Sequence, residues 1–209
     1  MQIEPLPIDG AFVITPKMFG DPRGLFMESF RADLLSEAIG HPFDLQQANL
    51  SVSAAGVLRG VHFADVPPGQ AKYVSCPKGA IYDIVVDIRV GSPTFGTSHG
   101  VLLDDANRKA LYVGEGLGHA FLCLQDDSVV TYLCSTGYNP TGEHGISPRD
   151  PALGIDLPTT ARNGSPLTYT LSDKDTAAPT LAQAQESGLL PDFDDVTAFL
   201  QALADPTVG

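Results

Sequence analysis

Basic residues are scarce in this chain of 209: Lys and Arg number 12 against 25 Asp and Glu, a formal net charge of −13. Such a balance repels nucleic acid and anionic membranes, so neither is expected as a partner. Cysteine is also sparse. Cys76, Cys123 and Cys134 are an odd number with no CxxC pair, which supports neither a disulfide framework nor a cysteine zinc site and leaves them as reduced core residues. No run approaches the ~18 consecutive apolar residues of a membrane span, and the start, Met1-Gln2-Ile3-Glu4-Pro5, lacks the basic-then-apolar pattern of a secretory signal. A soluble, cytoplasmic protein is the expectation. His41, His62, His99, His119 and His144 never form an H-x-H or H-x₃₋₅-H pair, so no metal is expected. No G-x-S-x-G elbow, P-loop or G-x-G-x-x-G leading into a helix is present, which removes support for serine hydrolase, nucleoside triphosphatase and dinucleotide readings.

What is abundant is turn chemistry. With 21 Gly and 17 Pro, and little helical periodicity before residue 176, the body reads as all-β. Strands are expected at Gly10 to Pro16, Leu25 to Phe30, Leu45 to His62 (broken by an Ala54-Ala55-Gly56 hairpin turn), Gln70 to Ser75 and Ile81 to Val90. Others follow at Gly100 to Leu103, Ala110 to Val113, His119 to Leu124 and Val129 to Ser135. A short helix over Arg31 to Ile39 should stop at Gly40. The turn-rich stretch from Pro140 to Tyr169 should cover the mouth of a sandwich or jelly-roll barrel of roughly ten strands. Past Asp175 the pattern becomes helical, with Val196, Phe199, Leu200 and Leu203 as an amphipathic stripe. A single domain spanning 1–209 is expected, a β body over about 10–175 and a helical tail over about 176–204.

The stretch Val57-Leu58-Arg59-Gly60-Val61-His62 sets an arginine and a histidine inside a β-prone apolar run. It admits a salt-bridged core histidine, a metal ligand, or an acid/base group facing an anion-binding cavity. Asp83 and Asp87 share a strand face, but four residues of strand put them about 13 Å apart, too far for paired-carboxylate glycoside hydrolysis. They read instead as a solvated or salt-bridged face beside Arg89. Arg23, Arg59, His62, Lys72, His119 and Tyr132 each lie on or beside an apolar strand, where an unpaired charge is expensive. An electropositive interior that binds an anion accounts for the set.

At this point a resemblance becomes specific. The segments Asp21-Pro22-Arg23-Gly24-Leu25-Phe26-Met27-Glu28, Gln47-Ala48-Asn49, Leu58-Arg59-Gly60-Val61-His62 and Gln70-Ala71-Lys72 occur in order. They continue with Val86-Asp87-Ile88-Arg89-Val90-Gly91-Ser92-Pro93-Thr94-Phe95-Gly96, Gly118-His119-Ala120-Phe121, Asp150-Pro151-Ala152-Leu153-Gly154-Ile155 and Leu171-Ser172-Asp173-Lys174-Asp175. Together they identify the chain as similar to the dTDP-4-dehydrorhamnose 3,5-epimerase family. The resemblance implies a cupin-type jelly roll with short peripheral helices, no cofactor, a homodimer, and a dTDP-4-keto-6-deoxyhexose substrate. It also implies His62 as general base, Asp175 as its orienting partner, Tyr132 as general acid and Lys72 as the electrophile at the C4 oxygen. Arg23 and Arg59 resemble diphosphate and substrate contacts, and Phe26, Glu28, Gln47, Asn49, His119, Tyr138 and Glu143 match pocket positions, Tyr138 by stacking on the base. Two departures stand out. Gly114-Glu115-Gly116-Leu117 replaces a proline- and aromatic-containing segment, and Leu157 stands where a tryptophan is usual. The wording around Pro67-Pro68-Gly69 resembles members from antibiotic deoxysugar pathways, some of which invert only C3 or only C5. Strict alternation would send Arg59 and His62 to opposite faces, so a β-bulge at Gly60 is expected to turn both inward.

Overall fold

The computed structural model describes residues 1–205, and the alternating segments become two antiparallel sheets packed face to face. The strands in chain order are β1 (Gln2–Pro5), β2 (Ala11–Thr15), β3 (Met18–Asp21), β4 (Gly24–Met27), β5 (Gln47–Ser53), β6 (Leu58–Ala64) and β7 (Lys72–Lys78). They continue as β8 (Ala80–Val86), β9 (Ser98–Asp104), β10 (Ala110–Val113), β11 (Gly118–Cys123), β12 (Ser128–Cys134) and β13 (Glu143–Gly145). One sheet runs β1-β2-β10-β7-β12-β5, the facing sheet β13-β6-β11-β8-β9, and β3 with β4 forms a separate hairpin. The helices are α1 (Ala32–Ile39), α2 (Asp173–Thr176), α3 (Leu181–Glu186) and α4 (Phe193–Ala204). Gly40 ends α1 in the left-handed conformation, φ 82°, returning its N–H to the Ser36 carbonyl. No helix among the described residues is long and apolar enough to cross a membrane.

Side chains alternate across each strand, and the inward sets meet in one core: Val74 and Cys76 of β7, Ile81 and Val85 of β8, Phe121 and Cys123 of β11, and Val130 of β12. The outer faces are also covered. α1 and Phe43 close over Tyr73, Ala110 and Tyr112 on one sheet, and α3 closes over Ile84, Val86 and Ala120 on the other. Central strands are therefore apolar on both faces. The tail docks through Val90, whose N–H donates to Pro191 O, through the Arg89 guanidinium over the Phe193 ring at 5.1 Å, and through buried Val196.

Three expectations change. The Ala54-Ala55-Gly56 turn does not close a hairpin: β5 pairs with β12 and β6 with β11, so the turn carries the chain from one sheet to the other. A Cβ on Gly56 would lie 2.2 Å from the Thr168 carbonyl, which explains the glycine. In β5, Leu50 and Val52 turn outward, at 64% and 57% exposure. The strand foreseen at Ile81 to Val90 ends at Val86. Of the two readings of Asp83 and Asp87, solvated or salt-bridged, the second holds: both are fully buried, Asp87 on Arg89 and Asp83 on His119. Burial raises the Asp87 pKa, but hydrogen bonds from Arg89, Ser92 and Thr94, with the Arg89 charge, outweigh it and hold the carboxyl below its ordinary value. The Arg89 Nε and Nη2 bonds measure 2.9 and 2.8 Å. Lastly, β1, β3 and β13 add pairing that the sequence reading left as turns or loops.

Candidate active site

The inward columns are apolar at one end and polar at the other. At the polar end the two sheets enclose a cavity of about 200 Å³. β6, β11 and β13 contribute Arg59, His62, His119, Phe121 and Glu143; the facing sheet contributes Gln47 and Asn49 from β5, Lys72 from β7 and Tyr132 from β12. Gln70 and Tyr138 approach from loops.

Arg59 and His62 share this cavity because β6 is bulged. His119 pairs with His62 and Phe121 with Arg59, so two residues of β6, Gly60 and Val61, oppose the single Ala120. Gly60 has φ +103°, and a Cβ there would lie 2.4 Å from the His119 carbonyl oxygen and 2.8 Å from Ala120 Cα. Only glycine fits. Arg59 is exposed as a residue, and it lines the cavity with its Nη2 donating to Ser53 Oγ at 3.2 Å.

His62 Nε2 lies 2.6 Å from Asp175 Oδ1, a contact between residues 113 apart in the chain. Asp175 is held in α2, whose N-cap Ser172 Oγ accepts from the Asp175 N–H at 3.1 Å. Burial raises the Asp175 pKa, but the His62 hydrogen bond and charge, Ser172 and the Gly60 backbone amide prevail and lower it. It is therefore a carboxylate, and with Nε2 engaged the other ring nitrogen, Nδ1, has no partner among the described residues. His119 repeats the arrangement: its Nε2 is 2.7 Å from Asp83 Oδ1, and both residues are buried.

Desolvation lowers the Lys72 pKa, with Cys134, Glu143 and Asp83 pulling it back up. Among the described residues no hydrogen bond or ion pair engages its ammonium, nor the Tyr132 hydroxyl; both are open to a ligand. At the rim, the Tyr138 ring is exposed while its N–H donates to Gln47 Oε1 at 2.8 Å; Gln47 Nε2 in turn donates to Asn49 Oδ1 at 2.8 Å. These bonds aim the amides before anything binds.

Of the thirteen candidate residues, ten are brought together and three are not. Arg23, Phe26 and Glu28 belong to the β3–β4 hairpin and the chain just after it. The Arg23 side chain is 90% exposed and paired with Asp21, Phe26 is 67% exposed, and Glu28 pairs with Arg31 at 3.2 Å. Within one chain the hairpin lies outside the cavity and forms a separate shallow groove with Phe19 and Leu25. Conversely, Gln70, Phe121 and Lys174 carried no assigned role, and Asp83 was weighed only as a pair with Asp87. Lys174 lines a cleft of about 330 Å³ that shares Arg59, His62, Glu143 and Asp175 with the site. Its signal was adjacency to Asp175 in Ser172-Asp173-Lys174-Asp175. Asp83 had none, because its partner lies 36 residues away.

Comparison with known proteins gives consistent matches over nearly the whole chain. The family model described as dTDP-4-dehydrorhamnose 3,5-epimerase matches residues 5–183. A protein of that description from Mycolicibacterium smegmatis is 54% identical over 203 residues, 97% of each chain. A dTDP-4-dehydrorhamnose 3-epimerase from Streptomyces niveus is 50% identical over 207 residues, 99% of this chain and 95% of the other. Among solved structures, the Mycobacterium tuberculosis rmlC epimerase superposes with a TM-score of 0.91 at 49% identity, covering 97% of this chain and 100% of that one.

Proposed function

The chain belongs to the dTDP-4-dehydrorhamnose 3,5-epimerase family, and on that premise we propose that it inverts C3 and C5 of a dTDP-4-keto-6-deoxyhexose, with His62 removing protons and Tyr132 returning them. A ketone at C4 acidifies the hydrogens on both neighbouring carbons, so an imidazole suffices as base once the enolate oxygen meets a cation. His62 Nδ1 is the free acceptor, and Asp175 fixes the tautomer and supports the imidazolium that forms. Lys72 supplies the cation at O4. Arg59 and His119 suit the diphosphate, the guanidinium by its planar fork. Gln47, Asn49, Tyr138 and Glu143 address the nucleotide and sugar, with Lys174 beside the dyad.

The observation that carries this reading is the placement of His62 and Tyr132 on facing sheets. A ring bound between the sheets meets the base on one side and the acid on the other, which is the requirement for inversion. Wild-type protein in D₂O with dTDP-4-keto-6-deoxyglucose is expected to place deuterium at C3 and C5 with both centres inverted, read by NMR. Absence of exchange would refute the enzyme. The Streptomyces niveus relative, a 3-epimerase by name, favours inversion at C3 alone as the second reading, which predicts a product changed only there. Either reaction suits a cytoplasmic step of rhamnose or antibiotic deoxysugar biosynthesis.

The site is completed by a second copy of the chain, in a homodimer. The outward apolar residues of β5, Leu50 and Val52, and the hairpin residues Phe19 and Phe26 are unpaid surface, and the hairpin carries Arg23 away from its own cavity. A partner's cavity is its natural destination. Mixing inactive Arg23→Ala and His62→Ala chains should restore about a quarter of wild-type activity, since half the dimers are hybrids with one of two sites intact. No recovery, or a monomeric mass by light scattering, sinks the shared site.

A further inference from the structure

Asp83 lies midway along β8 between Ile81 and Val85, on the face turned into the core, and is fully buried. Its Oδ1 is 2.7 Å from His119 Nε2, while its Oδ2 is buried with no hydrogen-bond partner in the chain. A desolvated carboxylate at such a depth is unfavourable unless a cation or donor faces it. Across the gap, the inward column of β7 that holds Val74 and Cys76 ends in Lys72.

Lys72 lines the same cavity as Glu143 and as His119, the partner of Asp83, and the charges of Cys134, Glu143 and Asp83 oppose its desolvation. The other groups around the cavity, Arg59, His62 and His119, are cations or become so on protonation, and Tyr132 offers a neutral hydroxyl. A site so rich in potential cations needs negative charge at its floor if the lysine is to stay protonated.

We propose that Asp83 is a positioning residue for the epimerisation: it fixes His119 with Nδ1 toward the substrate and supplies the buried negative charge that keeps Lys72 an ammonium as the enolate forms. The inference rests on the epimerase reading. It separates the two histidine–carboxylate pairs, which stand side by side on β6 and β11. Asp175 serves the base, while Asp83 serves the groups that hold the anion.

The test compares wild type, Asp83→Asn and Asp83→Glu as full-length protein, using the pH profile of kcat/KM for solvent deuterium exchange. Wild type is measured first; no exchange defeats the epimerase reading itself. With exchange established, Asp83→Asn is expected to move the alkaline limb down by about one pH unit, because the lysine loses an opposite charge nearby. Asp83→Glu keeps the charge and should hold the limb where it is while lowering kcat through the displaced His119. A merely structural pair would instead lower the melting temperature and leave the limb in place, and that outcome overturns the proposal. ¹⁵N NMR of wild-type His119 needs no variant: the Nε2–H tautomer is expected, and the Nδ1–H tautomer counts against Asp83 as its anchor.

Discussion

His62→Ala lowers the rate of solvent deuterium exchange by about 10³- to 10⁴-fold, the range over which a positioned general base contributes. The substitution removes the imidazole whose Nε2 is tied to Asp175 by a 2.6 Å bond and whose Nδ1 has no partner among the described residues. Nothing else lining the cavity replaces it. His119 is bonded to Asp83 and sits on the neighbouring strand, and Glu143 enters from the edge strand beyond. The variant also strands Asp175, whose lowered pKa depends partly on His62. The sign follows from that shift: a carboxyl with a depressed folded-state pKa adds stability above its unfolded value and loses it as pH falls through the folded one. Without His62 that contribution shrinks, so urea midpoints of variant and wild type should differ at neutral pH and converge on acidification. Exchange within tenfold of wild type would remove His62 from the mechanism.

Lys72→Met is the second large effect, and it falls on activity. Losing a preorganised cation at a developing oxyanion lowers kcat by about 10²- to 10³-fold. Met fills much of the same volume and carries no charge to desolvate, which offsets the loss of the cation that faces the buried Asp83. Binding of dTDP alone, which has no C4 oxygen, should persist in calorimetry. A variant with near wild-type kcat would show that the lysine is a packing residue.

The pattern of strands was legible because both faces of the central strands are apolar and their ends are marked by Gly and Pro. The bulge at Gly60 was legible for a different reason: two inward residues three apart cannot coexist on a regular strand. What stayed hidden was pairing. Nothing in Ala54-Ala55-Gly56 tells whether the chain folds back on the same sheet or crosses to the other, because the Thr168 carbonyl that demands Gly56 is more than a hundred residues away. Likewise Asp83 read as either solvated or salt-bridged, with no sign of its partner His119, since alternation assigns a face but not what lies on it. The family motifs brought Arg23 into the site, whereas in one chain it lies on an exposed hairpin, because a motif carries no information about where its segment folds.

The two sheets have one further consequence. His62 and Tyr132 are mounted on opposite walls, and the gap between those walls is maintained by the apolar ends of the same columns, where Val74, Val130 and Phe121 interleave. Sheets packed in this way stand ~10 Å apart, a spacing set by the bulk of the side chains between them. The hydrophobic core therefore acts as a spacer bar. Its thickness fixes how far each proton travels, so a methylene removed or added well away from the cavity alters timing as well as stability.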